Sequence, residues 1–137
     1  MVKAIAKRAL SYLWVAPVSV PAALVAGLAA CGGSRLAWRS GVLEAFGGPL
    51  ARLLKRGYPP MSIAAITLGH VVLAQSEADL ESSRGHERVH VAQYELWGAA
   101  FPFIYLGASL LALLQGGEAY RDNHFEREAG RSPPPLT

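Results

Sequence analysis

Two long uncharged stretches dominate the pattern of apolar and polar positions along the chain. Residues 12–30 contain nineteen residues without a charge, and a helix needs about 20 apolar residues to cross the hydrocarbon core of a bilayer. We therefore predict an N-terminal transmembrane helix within residues 1–31. Residues 97–115 form the second uncharged stretch, and Pro102 predicts a break there because proline interrupts helical hydrogen bonding.

The segment between residues 32 and 60 contains shorter apolar patterns. Its apolar residues recur at helical spacing around Gly47-Gly48-Pro49, which predicts one or two short amphipathic helices. This connector lies either on the membrane surface, with its basic residues among lipid headgroups, or packed against the rest of the protein. The apolar positions are Leu43, Phe46, Leu50, Leu53 and Leu54.

Strand-like alternation with frequent β-branched residues occurs only in residues 62–74. A single strand is not stable alone, so we expect Val71–Gln75 or a nearby segment to pair with it in a small sheet. Helical patterns follow at residues 79–98 and 118–129. The predicted fold class is mostly α with a small β element (α+β). Residues 61–130 form its main region, and the proline-rich residues 131–137 form a disordered tail.

The composition excludes two broad classes of protein. Hydrophobic residues make up 52% of the 137 residues, which is too much for intrinsic disorder. Cys31 is the only cysteine, so no disulfide framework forms within the chain. Leu28-Ala29-Ala30-Cys31 matches a lipoprotein cleavage pattern. An alternative is therefore that the first apolar stretch is a removed signal segment and that Cys31 is lipidated.

The charge is distributed unevenly. Residues 1–60 carry a net charge of +7, whereas residues 61–137 carry −4. The basic residues flank apolar stretches and are not interleaved with aromatic residues, which favours anionic lipid headgroups over nucleic acid as the partner. The acidic excess of the second half indicates a site.

Two histidines four residues apart, in His86-Glu87-Arg88-Val89-His90, carry the strongest chemical signal. On a helix they share one face and can bind one metal ion, typically zinc. Glu87 lies one position round the helix from His86, where a general base can hold a zinc-bound water without binding the metal. The alternative is an exposed helix with two ordinary histidines. A catalytic zinc site also needs a third protein ligand and an open fourth position.

The order of three sequence blocks resembles that of the gluzincin metallopeptidases, and most closely the small integral-membrane minigluzincins of bacteria. The resemblance covers residues 60–130. The blocks are the strand Ile66-Thr67-Leu68-Gly69-His70-Val71-Val72-Leu73, the motif His86-Glu87-Arg88-Val89-His90 followed by Gln93-Tyr94, and Tyr120-Arg121-Asp122-Asn123 followed by Phe125-Glu126-Arg127-Glu128-Ala129.

This resemblance implies a minimal zincin-like core with membrane-embedded helices and a set of ligand roles. His86 and His90 are implied zinc ligands, Glu87 is the implied general base, and Glu126 is the implied third ligand. Glu128 is the alternative third ligand. A spacing of two residues puts Glu126 and Glu128 about 200° apart round a helix, so only one of them can face the ion.

The same resemblance suggests roles around the ligands. Zincins bind substrate in extended form along an edge strand, so the backbone of residues 66–72 is the expected substrate site, around Ile66, Leu68 and His70. A lone strand histidine such as His70 also has a structural interpretation. Tyr120 and His124 are candidates for stabilising an oxyanion, with His124 a further alternative as third ligand, and Asn123 or Gln93 is the expected partner of a ligand histidine.

The third ligand follows the second apolar stretch, and this constrains the path of the chain. If residues 97–115 crossed the membrane fully, Glu126 would lie on the opposite side from His86. We therefore expect a reversal at Pro102, with a helix over residues 84–100 leading out and a helix over 103–115 returning. The alternative is a zinc site buried within the membrane.

Together these observations predict a membrane-bound zinc metalloendopeptidase that hydrolyses peptide bonds through a zinc-bound water and Glu87. Its expected location is the bacterial cytoplasmic membrane. The short chain forms little of a substrate cleft, so we expect the bilayer or a homo-oligomer to complete it. The alternative function is a zinc-stabilised membrane scaffold without peptidase activity.

Overall fold

The computed structural model describes residues 1–56 and 63–131. The fold is mostly helical with a small four-stranded mixed sheet, which confirms the predicted α+β class. In chain order the elements are α1 (Val2–Cys31), β1 (Arg35–Arg39), β2 (Val42–Phe46), α2 (Gly48–Arg56), β3 (Ala65–Leu68), β4 (Val71–Ala74), α3 (Glu77–Trp97), a 3₁₀ turn (Gly98–Ala100), α4 (Phe101–Leu114) and α5 (His124–Arg131).

The sheet separates two layers of helices. Its strand order is β1-β2-β4-β3, with β2 and β4 parallel and the other neighbours antiparallel. Successive side chains of a strand point to opposite faces. One face therefore buries Ala45, Val71 and Leu73 against α1 and α2. The other face buries Val72 and Ala74 against α3.

Helix α1 belongs to this packed unit and is not a separate anchor. Its buried residues Val15, Ala22, Ala26 and Ala29 share one face, and the three alanines lie in the same core as the sheet. The opposite face exposes large apolar side chains. By length and composition alone, two helical stretches, Val2–Cys31 and Glu77–Leu114, are sufficient to cross a membrane. The second of them contains the chain reversal at Gly98 that is described below. The exposed apolar residues of α1 include Leu10, Leu13, Leu24 and Leu28.

The predicted helical connector is wrong in its first half. Strands β1 and β2 form an antiparallel hairpin there, and the predicted amphipathic helix is confirmed only over α2. Ser40 and Gly41 have φ values of 51° and 81°, the positive angles that a two-residue hairpin turn requires. The described part of the connector therefore packs against the rest of the protein. Residues 57–60 of the connector lie outside the described residues.

The strand predicted within residues 62–74 is interrupted. Gly69, with φ of 67°, and His70 form a tight turn between β3 and β4, so the expected pairing partner at residue 71 onwards is confirmed as β4. Of these two strands, β3 lies at an edge of the sheet and β4 does not, because β4 pairs on both sides. Of the backbone of residues 66–72 that was expected to pair with substrate, only the part in β3 therefore lies at a sheet edge.

A buried carboxylate fixes the orientation of α3 on the sheet. Glu44 of β2 is 1% exposed, and Arg84 donates to its two oxygens at 3.0 and 3.2 Å while Arg88 donates at 2.9 Å. Charge-assisted bonds of this kind are strong. Arg84 and Arg88 lie about 160–200° round the helix from His86, so the ion pairs direct His86 away from this part of the sheet.

The chain reverses at Gly98 and not at the predicted Pro102. Gly98 has φ of 63° and ψ of −145°, a conformation that is essentially restricted to glycine. Pro102 lies in the first turn of α4, where proline is tolerated. Fifteen residues of straight helix would separate His90 from Tyr105 by about 22 Å, yet their ring centroids are 6.4 Å apart. The second apolar segment therefore returns towards the histidines, as the sequence required.

Helix α5 is shorter than the helix predicted over residues 118–129. It begins at His124 because the side chain of Asn123 accepts a hydrogen bond from the backbone of Phe125 at 2.9 Å and caps the helix. Its last residue is Arg131, so the prediction of a disordered tail is wrong at this residue. Residues 132–137 of that predicted tail lie outside the described residues.

We expect Gly98→Ala to lower the free energy of unfolding by about 1–3 kcal/mol. The substitution forces a glycine-specific backbone angle, and an added Cβ would overlap the indole ring of Trp14. The matched control is Gly107→Ala in α4, where a Cβ would have no neighbour within 4 Å and alanine is the better helix former. Thermal unfolding in detergent measures both. Equal unfolding temperatures for the two variants would contradict this account of the reversal.

Candidate metal centre

Helices α3 and α5 bring three metal-binding side chains together. Ser76 caps the start of α3 by accepting a hydrogen bond from the backbone of Asp79, and the helix then presents the two histidines on one face. Glu126 of α5 meets them, with His86 Nε2 at 2.9 Å from its Oε2 and His90 Nε2 at 3.2 Å from its Oε1. The two Nε2 atoms are 3.1 Å apart.

These distances fit a single metal ion. Ligand atoms placed tetrahedrally at zinc–nitrogen and zinc–oxygen distances of 2.0–2.2 Å lie about 3.3–3.5 Å from one another. The three separations in this cluster, between 2.9 and 3.2 Å, are only slightly shorter. Two imidazoles and one carboxylate are also a catalytic zinc donor set that leaves one position open. The residues present therefore fit the predicted cofactor.

Gln93 fixes the orientation of His90. Its amide nitrogen donates to the backbone carbonyl of Phe125 and to Glu128, both at 3.1 Å. Both partners only accept, so the amide oxygen must face His90 Nδ1, which lies 2.8 Å away. Nδ1 is then the donor, and in the neutral ring Nε2 carries the free lone pair that binds a metal. Of the two predicted positioning residues, Gln93 is the one that contacts a histidine of the cluster.

Tyr105 of α4 holds the carboxylate of the cluster. Its hydroxyl donates to Glu126 Oε1 at 2.7 Å. Burial by itself raises the pKa of Glu126, but the neighbouring imidazoles of His86 and His90 and the hydroxyl of Tyr105 outweigh it and hold the pKa well below the ordinary value of 4.5. Glu126 is therefore ionised at neutral pH, which is the form that binds a cation.

Glu87 is buried beside the cluster and contacts the sheet. The hydroxyl of Thr67, on β3, donates to Glu87 Oε2 at 2.5 Å. Thr67 pairs with Val72, and Val72 pairs with Glu44, so all three side chains point to the α3 side of the sheet. This face of the sheet therefore contacts α3 at two points. Glu44 of β2 binds Arg84 and Arg88, and Thr67 of β3 positions Glu87.

The remaining predicted site residues of the third sequence block are Tyr120, Asn123 and His124. Tyr120 is half-exposed, and partial burial together with the negative charge of Glu126 raises its pKa to about 12, so its hydroxyl remains a donor at neutral pH. Asn123 contacts neither histidine, because its amide donates to Tyr105 and Ser109. His124 points away from the cluster with its side chain 75% exposed and lies 3.8 Å from Glu128.

The residues expected to bind substrate divide into two groups. Ile66 and Leu68 pack their side chains towards the α1 layer, so only their backbone at the sheet edge is placed to pair with an extended chain. His70 lies in the β3–β4 turn, where its Nε2 is 2.8 Å from Glu95 and its backbone donates to Ser19. His70 is thus held against α1 and the opposite face of α3, away from the metal-binding cluster.

Two residues of this centre, Thr67 and Tyr105, were missed from the sequence. Thr67 lies inside the strand block, but its pairing with Glu87 depends on the sheet register. Tyr105 lies in the uncharged stretch 97–115 among apolar neighbours, so the sequence pattern does not distinguish it from them. A buried tyrosine hydroxyl needs a hydrogen-bond partner. A tyrosine within an apolar helix therefore indicates a polar contact, and this was the signal that could have identified Tyr105.

Comparison of the chain with models of protein families, with curated proteins and with solved structures gives no match.

Proposed function

We propose that this chain is a membrane-bound zinc metallopeptidase of the gluzincin type, in which His86, His90 and Glu126 hold the zinc ion. The observation that carries the proposal is the convergence of two imidazole nitrogens and one carboxylate within 3.2 Å. His86 has 28% of its side chain exposed, whereas His90 and Glu126 are nearly buried. The open side of the cluster is therefore the side of His86.

Glu87 is the proposed general base. A bound zinc ion supplies Lewis-acid polarisation of the substrate carbonyl and lowers the pKa of a coordinated water. Within the described residues, Thr67 is the hydrogen-bond donor to the Glu87 side chain and engages Oε2, which leaves Oε1 for a proton. Glu87 accepts the proton from the attacking water and transfers it to the leaving amine as the carbon–nitrogen bond breaks.

The proposed substrate is a peptide in extended conformation, paired with the edge strand β3. Thr67 of this strand contacts Glu87, so a chain paired with β3 lies next to the general base. Main-chain pairing of this kind gives affinity for many sequences. Tyr120, whose hydroxyl stays protonated at neutral pH, is the proposed donor to the developing oxyanion.

The proposed location is the bacterial cytoplasmic membrane, with the bilayer in contact with α1 and α4. Both helices expose large apolar side chains that water solvates poorly. The charged residues of α1 are confined to its first two turns and α4 has none, whereas α3 and α5 carry many. Tyr105, which donates to Glu126, lies in the first half of α4, so the metal-binding cluster lies beside that half of the helix. The exposed residues of α4 include Phe103, Leu106, Leu110 and Leu114.

We expect the purified full-length protein to contain one zinc ion per chain and to cleave peptides at neutral pH. His86→Ala and His90→Ala should each lose both properties, because a site reduced to two protein ligands binds zinc weakly. His124→Ala, at an exposed histidine of α5, is the matched control and should keep both. Elemental analysis and a quenched-peptide library measure the two properties on the same detergent preparation.

The outcomes separate the proposal from its alternatives. Full zinc content in both His86→Ala and His90→Ala would refute the metal site. One zinc per chain without cleavage of any peptide in the library would refute the peptidase and favour the zinc-stabilised scaffold.

A further inference from the structure

A cavity lies on the side of α3 opposite the metal-binding cluster. Its volume is about 640 Å³, within the range of small-molecule sites. The first turns of α1, the β1–β2 turn and the face of α3 that carries Arg88 and Glu95 line it, and it is open to the surface. Arg88 and Glu95 lie about 180–200° round α3 from His86, so this cavity is separate from the proposed active site.

The cavity has an excess of positive charge. Lys7, Arg8 and Arg88 line it, and neither Lys7 nor Arg8 forms a salt bridge with any residue in 1–56 or 63–131. Arg88 shares the single carboxylate of Glu44 with other arginines. The acidic residue of the lining, Glu95, is engaged by His70 at 2.8 Å. An anion entering the cavity would therefore meet uncompensated cations.

Three buried polar atoms with no hydrogen-bond partner belong to residues that line this cavity. They are Ser11 Oγ, His70 Nδ1 and Arg88 Nη1, and they are the complete set of such side-chain atoms in the described parts of the chain. Leaving a buried polar group without a hydrogen-bond partner is destabilising. Their concentration in one basic cavity, with His70 only 5% exposed, indicates that a ligand with several acceptor oxygens completes it.

The cavity also joins a polar end to an apolar rim. Lys7, Arg8 and Ser11 immediately precede the apolar stretch 12–30, where lipid headgroups meet a membrane helix. Leu10 and Trp14 line the same cavity and are largely exposed. Lysine, arginine and hydroxyl donors suit phosphate oxygens, and the apolar rim suits an attached chain.

We propose that this cavity binds a phosphate group, supplied either by the headgroup of an anionic phospholipid or by a soluble phosphate ester. Lys7, Arg8 and Arg88 provide the charge, and Ser11 donates through its hydroxyl. Binding there clamps the start of α1 to α3 and the β1–β2 turn. The inference is independent of the proposed peptidase activity.

The test compares two lipids that share the same acyl chains. Native mass spectrometry of the full-length protein in neutral detergent would measure binding of dioleoylphosphatidic acid and of dioleoylglycerol, which lacks only the phosphate. We expect tighter binding of the phosphatidic acid by at least about tenfold, and loss of that preference in Lys7→Gln/Arg8→Gln, because the substitutions remove two charged hydrogen-bond donors to the phosphate. Both residues are exposed, so their replacement leaves the core unchanged.

The matched control is Lys3→Gln/Arg52→Gln, which removes two exposed cations that do not line the cavity and should change binding less than about twofold. Displacement of the lipid by millimolar inorganic phosphate would support a site for soluble phosphate esters, and retention would support the phospholipid. Equal binding of the two lipids, or an equal loss in control and test variants, would overturn the proposal.

Discussion

Glu87→Gln is expected to keep zinc bound and to lower kcat for peptide cleavage by about 10²–10⁴-fold, the usual contribution of a general base. Glutamine preserves the shape of this buried side chain, and its amide oxygen still accepts the hydrogen bond from Thr67. The substitution removes only the group that takes the proton. Zinc content and steady-state kinetics on one preparation measure the two effects. Loss of zinc in this variant would show that Glu87 is a ligand and not the base.

Substitutions of Thr67 test whether its hydroxyl positions Glu87, with a smaller expected effect on kcat. Thr67→Val keeps the shape but removes the hydroxyl, and we expect a loss of about 10–100-fold in kcat with zinc retained, because a hydrogen bond to a charged group contributes about 1.5–3 kcal/mol. Thr67→Ser restores the hydroxyl and should recover most of the rate. If serine does not recover it, Thr67 supports packing and does not position Glu87.

The sequence was sufficient for elements whose signal lies within one helix or strand. The spacing of His86 and His90 predicted that they share one face of α3, with Glu87 one position round the helix, since helix geometry alone determines this. The two segments β1 and β2 were missed because β1 is exposed along its whole length, and β2 buries the charged Glu44 on its inner face. β2 therefore lacks the apolar alternation that identifies a half-buried strand, whereas β1 has it only at Leu36 and Trp38, over five residues.

The long-range contacts could not be obtained from local patterns. Thr67 meets Glu87 only because Thr67, Val72 and Glu44 lie side by side across the sheet, and this register depends on tertiary packing. The reversal was predicted correctly as a requirement but assigned to Pro102. Its cause is the backbone angle of Gly98, and proline is compatible with the first turn of the helix that follows.

Glu126→Gln is expected to lower zinc affinity by at least about 100-fold, because even partners outside the ligand shell contribute 10–100-fold. Glu126 contacts His86 and His90 at 2.9 and 3.2 Å, and an amide is a poorer zinc ligand than a carboxylate. Zinc competition with a fluorescent chelator measures the affinity.

Glu128→Gln is the matched control, since the two glutamates are chemically identical and lie on the same short helix. Glu128 faces the Gln93 amide at 3.1 Å and His124 at 3.8 Å, and a glutamine there still offers Gln93 an acceptor oxygen, so zinc affinity should change by less than about threefold. Release of zinc by Glu128→Gln but not by Glu126→Gln would show that α5 presents its opposite face to the histidines. Tight zinc binding in both variants would show that the third ligand is neither glutamate.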